Sequence, residues 1–134
     1  RTSYVARFVG SANIIEGRVS AVYEEAAKIE NHSGSFLASS QDKSLSVGQK
    51  VKAAVRRENI VLNREVSGRG LRATVKEKRF AGGVLQIFAE LQDGSEIIAT
   101  RHGLDSDIKT GDSVFLTWEP ENSVLVDTEA ANET

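Results

Sequence analysis

One segment of this chain recurs at a fixed distance of 63 residues, and the recurrence constrains the fold more than any other feature. Ser46-Val47-Gly48-Gln49-Lys50-Val51 resembles Lys109-Thr110-Gly111-Asp112-Ser113-Val114. Glu58-Asn59-Ile60-Val61-Leu62 then resembles Glu121-Asn122-Ser123-Val124-Leu125 in the same register. Each copy reads as a glycine-led turn, a strand with one buried alternate face, a short turn and a second apolar strand end. Glycine takes the positive φ that such turns require, so its recurrence signals a shared backbone course. A fold built from one unit used twice is the direct expectation. A common β-hairpin grammar is the competing explanation, but it does not account for ungapped agreement at Gly, Val, Glu and Leu. The copies differ where Arg57 stands opposite Pro120, so only the second has its φ fixed by a ring.

The stretches around the repeat alternate as half-buried strands do. Val19, Ala21 and Tyr23 form one face against Arg18, Ser20 and Glu24. Val51, Ala53 and Val55 form another against Lys50 and Lys52. Leu71, Ala73 and Val75 repeat the pattern, followed by Leu85, Ile87, Ala89 and Leu91, and then by Val114, Leu116 and Trp118. Ser33-Gly34-Ser35, Gly82-Gly83 and Asp93-Gly94 are turn signals between them. Short strands broken by such turns predict a mostly β chain of small barrel or sandwich type. At the start, Tyr4 and Phe8 lie four apart with Val5 and Val9 beside them, which predicts a short helix ending at Gly10. The expected organisation is a helix end and link over residues 1–16, a first β lobe over 17–66, a second over 67–127 and a polar tail from 128. Strands shared between the lobes are compatible with that division.

Composition narrows the chemistry. The 134 residues are 40% apolar and 27% charged, as a packed globule requires. The net charge of -2 gives no general attraction to nucleic acid or anionic lipid. It hides an asymmetry: residues 1–65 carry 10 Lys/Arg against 7 Asp/Glu, and residues 66–134 carry 7 against 12. Without cysteine there is no disulfide or thiolate chemistry. No apolar run nears the roughly 18 residues of a membrane-spanning helix. Residue 1 is Arg and methionine is absent, so a piece of a longer chain is expected.

The phosphate-gripping Gly-x-x-x-x-Gly-Lys-Ser/Thr pattern does not occur. His32 and His102 have no recognised zinc spacing. Glu24-Glu25 would point to opposite strand faces and reads as a solvated edge. Asp105 and Asp107 read as a loop before Gly111 rather than as a cation site. Arg69, Arg72, Lys76, Lys78 and Arg79 form a basic stretch ending at Phe80. Phe88 and Trp118 are expected in or near the core, which leaves one stacking aromatic and disfavours nucleic acid. Arg56-Arg57, followed by Glu58-Asn59, is the candidate contact for an anion or a partner carboxylate, through forked hydrogen bonds.

Taken together, these residues resemble the transport-associated oligonucleotide-binding-like (OB-like) domain that follows the nucleotide-binding domain in many ABC importer ATPases. Phe8-Val9-Gly10-Ser11-Ala12-Asn13 is similar to the link out of the ATPase, and Gly17-Arg18-Val19 to the first strand. Val55-Arg56-Arg57-Glu58-Asn59-Ile60 is similar to the family's Arg-Pro-Glu motif, with Arg57 in the place of Pro. Leu91-Gln92-Asp93-Gly94 is similar to its central hairpin. Gly111-Asp112-Ser113-Val114, with Trp118-Glu119-Pro120-Glu121, is similar to its closing segment.

The resemblance implies two small OB-like β-barrel lobes, no catalysis and no cofactor in this segment, and ATP with Mg only in a parent chain. It implies a regulatory or dimer-stabilising role in an ATPase homodimer that meets permease subunits at the cytoplasmic face of the membrane. A small-molecule effector is a further candidate partner, and nucleic acid is not expected. Polyamine importers are the nearest in style. The competing readings are a module sensing a small ligand or oxyanion and, more remotely, a nucleic-acid-binding OB fold.

Overall fold

The computed structural model describes residues 12–39, 44–64, 69–102 and 108–128. The helix expected at Tyr4–Gly10 and the loop carrying Asp105 and Asp107 lie outside the described residues. Ten strands occur among the described ones: β1 (Ala12–Val22), β2 (Ala26–Asn31), β3 (Gly34–Ser39), β4 (Lys50–Arg56), β5 (Val61–Asn63), β6 (Gly70–Ala81), β7 (Val84–Leu91), β8 (Glu96–His102), β9 (Ser113–Thr117) and β10 (Ser123–Thr128). Two single 3-10 turns, Arg57–Asn59 and Pro120–Asn122, precede β5 and β10. β1 starts five residues before the pattern that begins at Gly17, because Ala12, Asn13 and Ile15 are already buried.

The repeat is a repeat of hydrogen bonds. Gly48 and Gly111 have φ of 95° and 96°. The Gly48 N–H donates to Val19 O and the Gly111 N–H to Val75 O, both at 2.7 Å. Val19 and Val75 in turn donate to Gln49 O and Asp112 O, both at 2.9 Å. The side chains of Gln49 and Asp112 accept the N–H groups of Ser46 and Lys109 at 3.0 and 2.9 Å. β1 and β6 both bulge just beyond these valines, between Val19 and Ala21 and between Val75 and Glu77. A bulge bends its strand, which lets one strand serve two sides of a small barrel.

Within each half the pairing is the same. β1 pairs β2 and β4, and β2 pairs β3; β6 pairs β7 and β9, and β7 pairs β8. The fifth strands are exchanged between the halves. β10 pairs β4, with Val124 opposite Ala54 and Leu125 opposite Ala53. β5 pairs β9 at the equivalent positions, with Val61 opposite Thr117 and Leu62 opposite Leu116. A parallel contact of Val124 with Ser39 of β3 closes β10-β4-β1-β2-β3 into a five-stranded OB-like barrel. β3 and β6 join the halves at Gly34–Leu71 and Ser35–Gly70.

The inner faces expected in β4, β6, β7 and β9 are inside, whereas Tyr23, expected to share a buried face with Val19, is exposed past the end of β1 because the bulge after Val19 breaks the alternation. Val51, Ala53, Val55, Leu71, Ala73, Val75, Ile87, Val114 and Leu116 are all 2% exposed or less. They belong to one apolar cluster with residues from both halves, and Trp118 packs at its edge. Burying apolar side chains contributes about 1.5–3 kcal/mol each, so this shared cluster is the main term holding the halves together. Phe88 departs from expectation. It alternates with buried Ile87 and Ala89 and therefore lies on the opposite face, with the Arg79 guanidinium 5.0 Å from its ring centre.

Candidate interaction site at the two turns

The segment singled out in the sequence, Arg56-Arg57-Glu58-Asn59, leaves β4 through an extended residue and folds into the first 3-10 turn. Arg56 has φ −68° and ψ 148°; its counterpart Glu119 has φ −74° and ψ 145°. The turns close alike, with the Ile60 N–H donating to Arg57 O and the Ser123 N–H to Pro120 O. Arg57 in place of proline thus leaves the backbone course unchanged.

The exchanged strands bring the two turns to one groove. Glu58 and Asn59 line it from the first turn, and Glu119, Pro120 and Asn122 from the second. Phe36, Leu116 and Trp118 also line it, and the Phe36 and Trp118 rings lie 5.2 Å apart at 52°. Arg56 is exposed and Arg57 half-buried, and neither lines the groove. The first turn packs instead against β8, and the second against β3. Arg57 Nε and Trp118 Nε1 are enclosed without a hydrogen-bond partner. The structure therefore separates the four candidates into a carboxylate–amide pair on the groove and an arginine pair beside it. The pairing of Glu58-Asn59 with Glu121-Asn122 in the repeat was the signal that the second turn belongs to the same region.

A second cleft was not anticipated. Arg69 and Arg72 line it opposite His32, Ser33 and Ser35, with Gln92 at one side. Arg72 stacks 5.6 Å from the Phe115 ring centre. Ser33 anchors the cleft: its carbonyl accepts the Arg72 N–H at 2.8 Å and its hydroxyl oxygen the Gln92 N–H at 2.9 Å. In the sequence, Arg69 and Arg72 read as a charged strand face, and nothing near them announced a meeting with a turn nearly forty residues earlier. Close approach of Gly34 to Gly70 creates that meeting.

The rest of the basic stretch is largely paired. Lys76 lies 3.7 Å from Glu90, Arg79 lies 2.9 Å from Glu77, and Lys78 Nζ donates to Ile108 O. Glu24 and Glu25 are exposed in the β1–β2 connection. No group of three or more His, Asp or Glu side chains able to hold a metal occurs among the described residues.

Fold and strand order define a module of two OB-like lobes with exchanged fifth strands. Residues 53–126 match the TOBE domain family, and the chain belongs to that family. It is 30% identical over 128 residues to a spermidine/putrescine import ATP-binding protein, PotA, of Rubrobacter xylanophilus, covering 92% of this chain and 33% of that protein. The PotA protein of Thermotoga maritima is 26% identical over 134 residues, with 92% and 36% covered. The chain thus spans about a third of the length of these relatives. Among solved structures, the cytoplasmic molybdate-binding protein ModG superposes with a TM-score of 0.74 at 22% identity, covering 87% of this chain and 96% of that one. That likeness concerns the fold.

Proposed function

We propose that this chain is the C-terminal domain of the ATP-binding subunit of an ABC importer of polyamine type, where it stabilises a pair of ATPase subunits and receives a regulatory signal. The observation that carries the reading is the match of nearly the whole chain to about a third of several PotA proteins. ATP and Mg would be bound outside this segment, in the parent chain, and permease subunits would be met through that same part. The assembly would sit at the cytoplasmic face of the membrane; no helix among the described residues is long and apolar enough to cross one.

The mechanical basis is a coupling between sites through contacts that differ between states. A closed five-stranded barrel joined to a second lobe, with one groove between two turns, is suited to hold a partner surface. The groove carboxylates Glu58 and Glu119 would meet cations, and Arg56 and Arg57 would meet partner carboxylates. The test is the ATPase activity and oligomeric state of the parent subunit with and without residues 12–128. Loss of the segment is expected to weaken subunit dimerisation and leave ATP hydrolysis in place. Unchanged dimerisation and unchanged response to transport substrate would overturn the proposal.

A second reading is favoured by one observation, the Arg69–Arg72 cleft on a fold shared with a molybdate-binding protein. Two guanidiniums can hold a tetrahedral oxyanion through charge-assisted hydrogen bonds. Calorimetric titration with molybdate, sulfate, spermidine and putrescine separates the readings: saturable oxyanion binding lost in Arg72→Ala would support a sensing module.

A further inference from the structure

The tip of the β7–β8 hairpin joins a reactive dipeptide to a turn that restrains it. Asp93 is the one aspartate of the chain followed by glycine, and no asparagine is. Glycine has no side chain to shield its backbone nitrogen, so an aspartate before it is where a chain rearranges most readily. In that reaction the Gly94 nitrogen bonds to the Asp93 side-chain carboxyl carbon, and its proton leaves with a carboxyl hydroxyl as water. The five-membered imide then takes up water at the Asp93 backbone carbonyl carbon, whose bond to the Gly94 nitrogen breaks. The chain now runs through the Asp93 Cβ and Cγ, and the former backbone carbon becomes a free carboxylate. The product is isoaspartate, with one more backbone carbon and an unchanged mass.

In the folded chain both partners of the first step are engaged. The Gly94 N–H donates to Leu91 O at 3.0 Å, and the Leu91 N–H donates to Ser95 O at 2.8 Å. Asp93 Oδ1 accepts the Ser95 hydroxyl at 2.5 Å and the Ser95 N–H at 2.9 Å, as a turn aspartate does with the residue two places on. Those two bonds from Ser95, first the hydroxyl and then the backbone, hold the Asp93 carboxyl below the usual carboxylate range, and His32 adds a smaller attraction. An ionised carboxylate has no hydroxyl to lose and is a poor electrophile. Nothing else encloses the dipeptide. Asp93, Gly94 and Ser95 are exposed, and a Cβ built at Gly94 meets no atom within 4 Å beyond its chain neighbours.

We propose that Asp93-Gly94 is a modification site, the place where this chain converts aspartate to isoaspartate, and that Ser95 sets the rate by occupying the Asp93 carboxylate. The exposed product is a substrate for enzymes that methylate the free carboxylate of isoaspartate. Its effect reaches the seam between the lobes. The Gln92 N–H beside it donates to Ser33 Oγ at 2.9 Å, the bond that anchors the Arg69–Arg72 cleft. An added backbone carbon at position 93 displaces the Leu91–Ser95 closure and draws Gln92 off Ser33. The assignment is independent of the transporter reading.

The test ages the chain at neutral pH beside a free peptide of residues 88–99. Isoaspartate is counted by enzymatic transfer of labelled methyl groups and located by peptide mapping. Conversion is expected at Asp93 before any other position, about tenfold or more slowly than in the peptide, since hydrogen bonds to a charged group must first be released. Ser95→Ala should raise the rate toward that of the peptide, and Ser95→Thr, which keeps the hydroxyl, should leave it near the original. Equal rates in chain and peptide, no acceleration in Ser95→Ala, or earlier conversion elsewhere overturns the proposal. If Ser95→Ala fails to fold, the unaltered chain against the peptide still decides. Hydrogen exchange on the aged chain reads the consequence: protection of the Gln92 amide falls while that of Ile98 in β8 holds. Unchanged Gln92 protection overturns the link to the cleft.

Discussion

The two lobes share a backbone plan, with turn hydrogen bonds of 2.7 and 2.9 Å in both, yet they finish differently. In the first, β10 is six residues long and reaches β3 to close the barrel. In the second, β5 is three residues long, and no equivalent pairing to β8 occurs among the described residues. The edge of β8 is met instead by a side chain. Asn13 of β1 donates from Nδ2 to Ile98 O at 2.9 Å and accepts the Ile98 N–H on Oδ1 at 2.8 Å. One asparagine amide thus stands in for a strand neighbour, and it ties the start of the first lobe to the edge of the second. The turns diverge too: Arg56 and Arg57 in one lobe face Glu119 and Pro120 in the other at equivalent positions. Glycine-led turns and bulges hold the plan, because their backbone hydrogen bonds tolerate many side chains, whereas the outer surfaces are free to differ.

The largest expected effect is at the junction that makes the lobes one body. A Cβ added at Gly34 would stand 2.1 Å from Gly70 O, on a residue with φ of +143°. Backbone must move to admit it, so Gly34→Ala is expected to cost more than about 3 kcal/mol. Denaturant unfolding reads the loss directly. If the lobes were only loosely joined, the cost would fall to that of the φ alone, about 1–3 kcal/mol.

The exchanged strands provide the next test. Leu125 of β10 is 3% exposed in the core, while its repeat mate Leu62 of β5 is partly buried. Leu125→Ala is expected to destabilise by about 2–5 kcal/mol and Leu62→Ala by roughly half as much. Equal losses would show that the shorter β5 seals its barrel as well as β10 does.

Asn13→Ala removes the amide that completes β8. It leaves the Ile98 N–H and C=O without that partner, which costs about 1–3 kcal/mol if water does not replace it. Hydrogen exchange should show the loss concentrated at β8, with β3 unaffected. An even loss across both lobes would mean that Asn13 contributes through the core and not through the edge.

The inner faces of β4, β6, β7 and β9 were legible because period-two alternation reports burial directly, as at Leu71, Ala73 and Val75. The repeat was legible because two glycines share one φ. The strand exchange was not: a sequence states that β10 is like β5, but not which β4-type strand either will join. The groove was half legible. Glu58 and Asn59 do line it, but exposed Arg56, at the end of β4, and half-buried Arg57, at the start of the turn, do not. Phe88 was misplaced because it was assigned by its aromatic type, although the alternation of Leu85, Ile87, Ala89 and Leu91 already puts it on the opposite face. The Arg69–Arg72 cleft carried no local signal, as its other wall comes from the β2–β3 turn.

The smallest effect tests how far the two turns are the same object. Pro120 shows what the second copy accepts at this position; Arg57 holds it in the first. Proline needs a φ near −65° and an extended residue before it. Arg56, with ψ of 148°, already provides the latter. Arg57→Pro would also remove an enclosed Nε that makes no hydrogen bond, and it would restrict the unfolded chain. The expected result is a gain of about 0.4–1 kcal/mol, read as a small rise in the denaturant midpoint at unchanged slope. A loss instead would show that the Arg57 stem, packed with its turn on β8, contributes more than the ring can return, and that the two turns share a backbone but not a function in the fold.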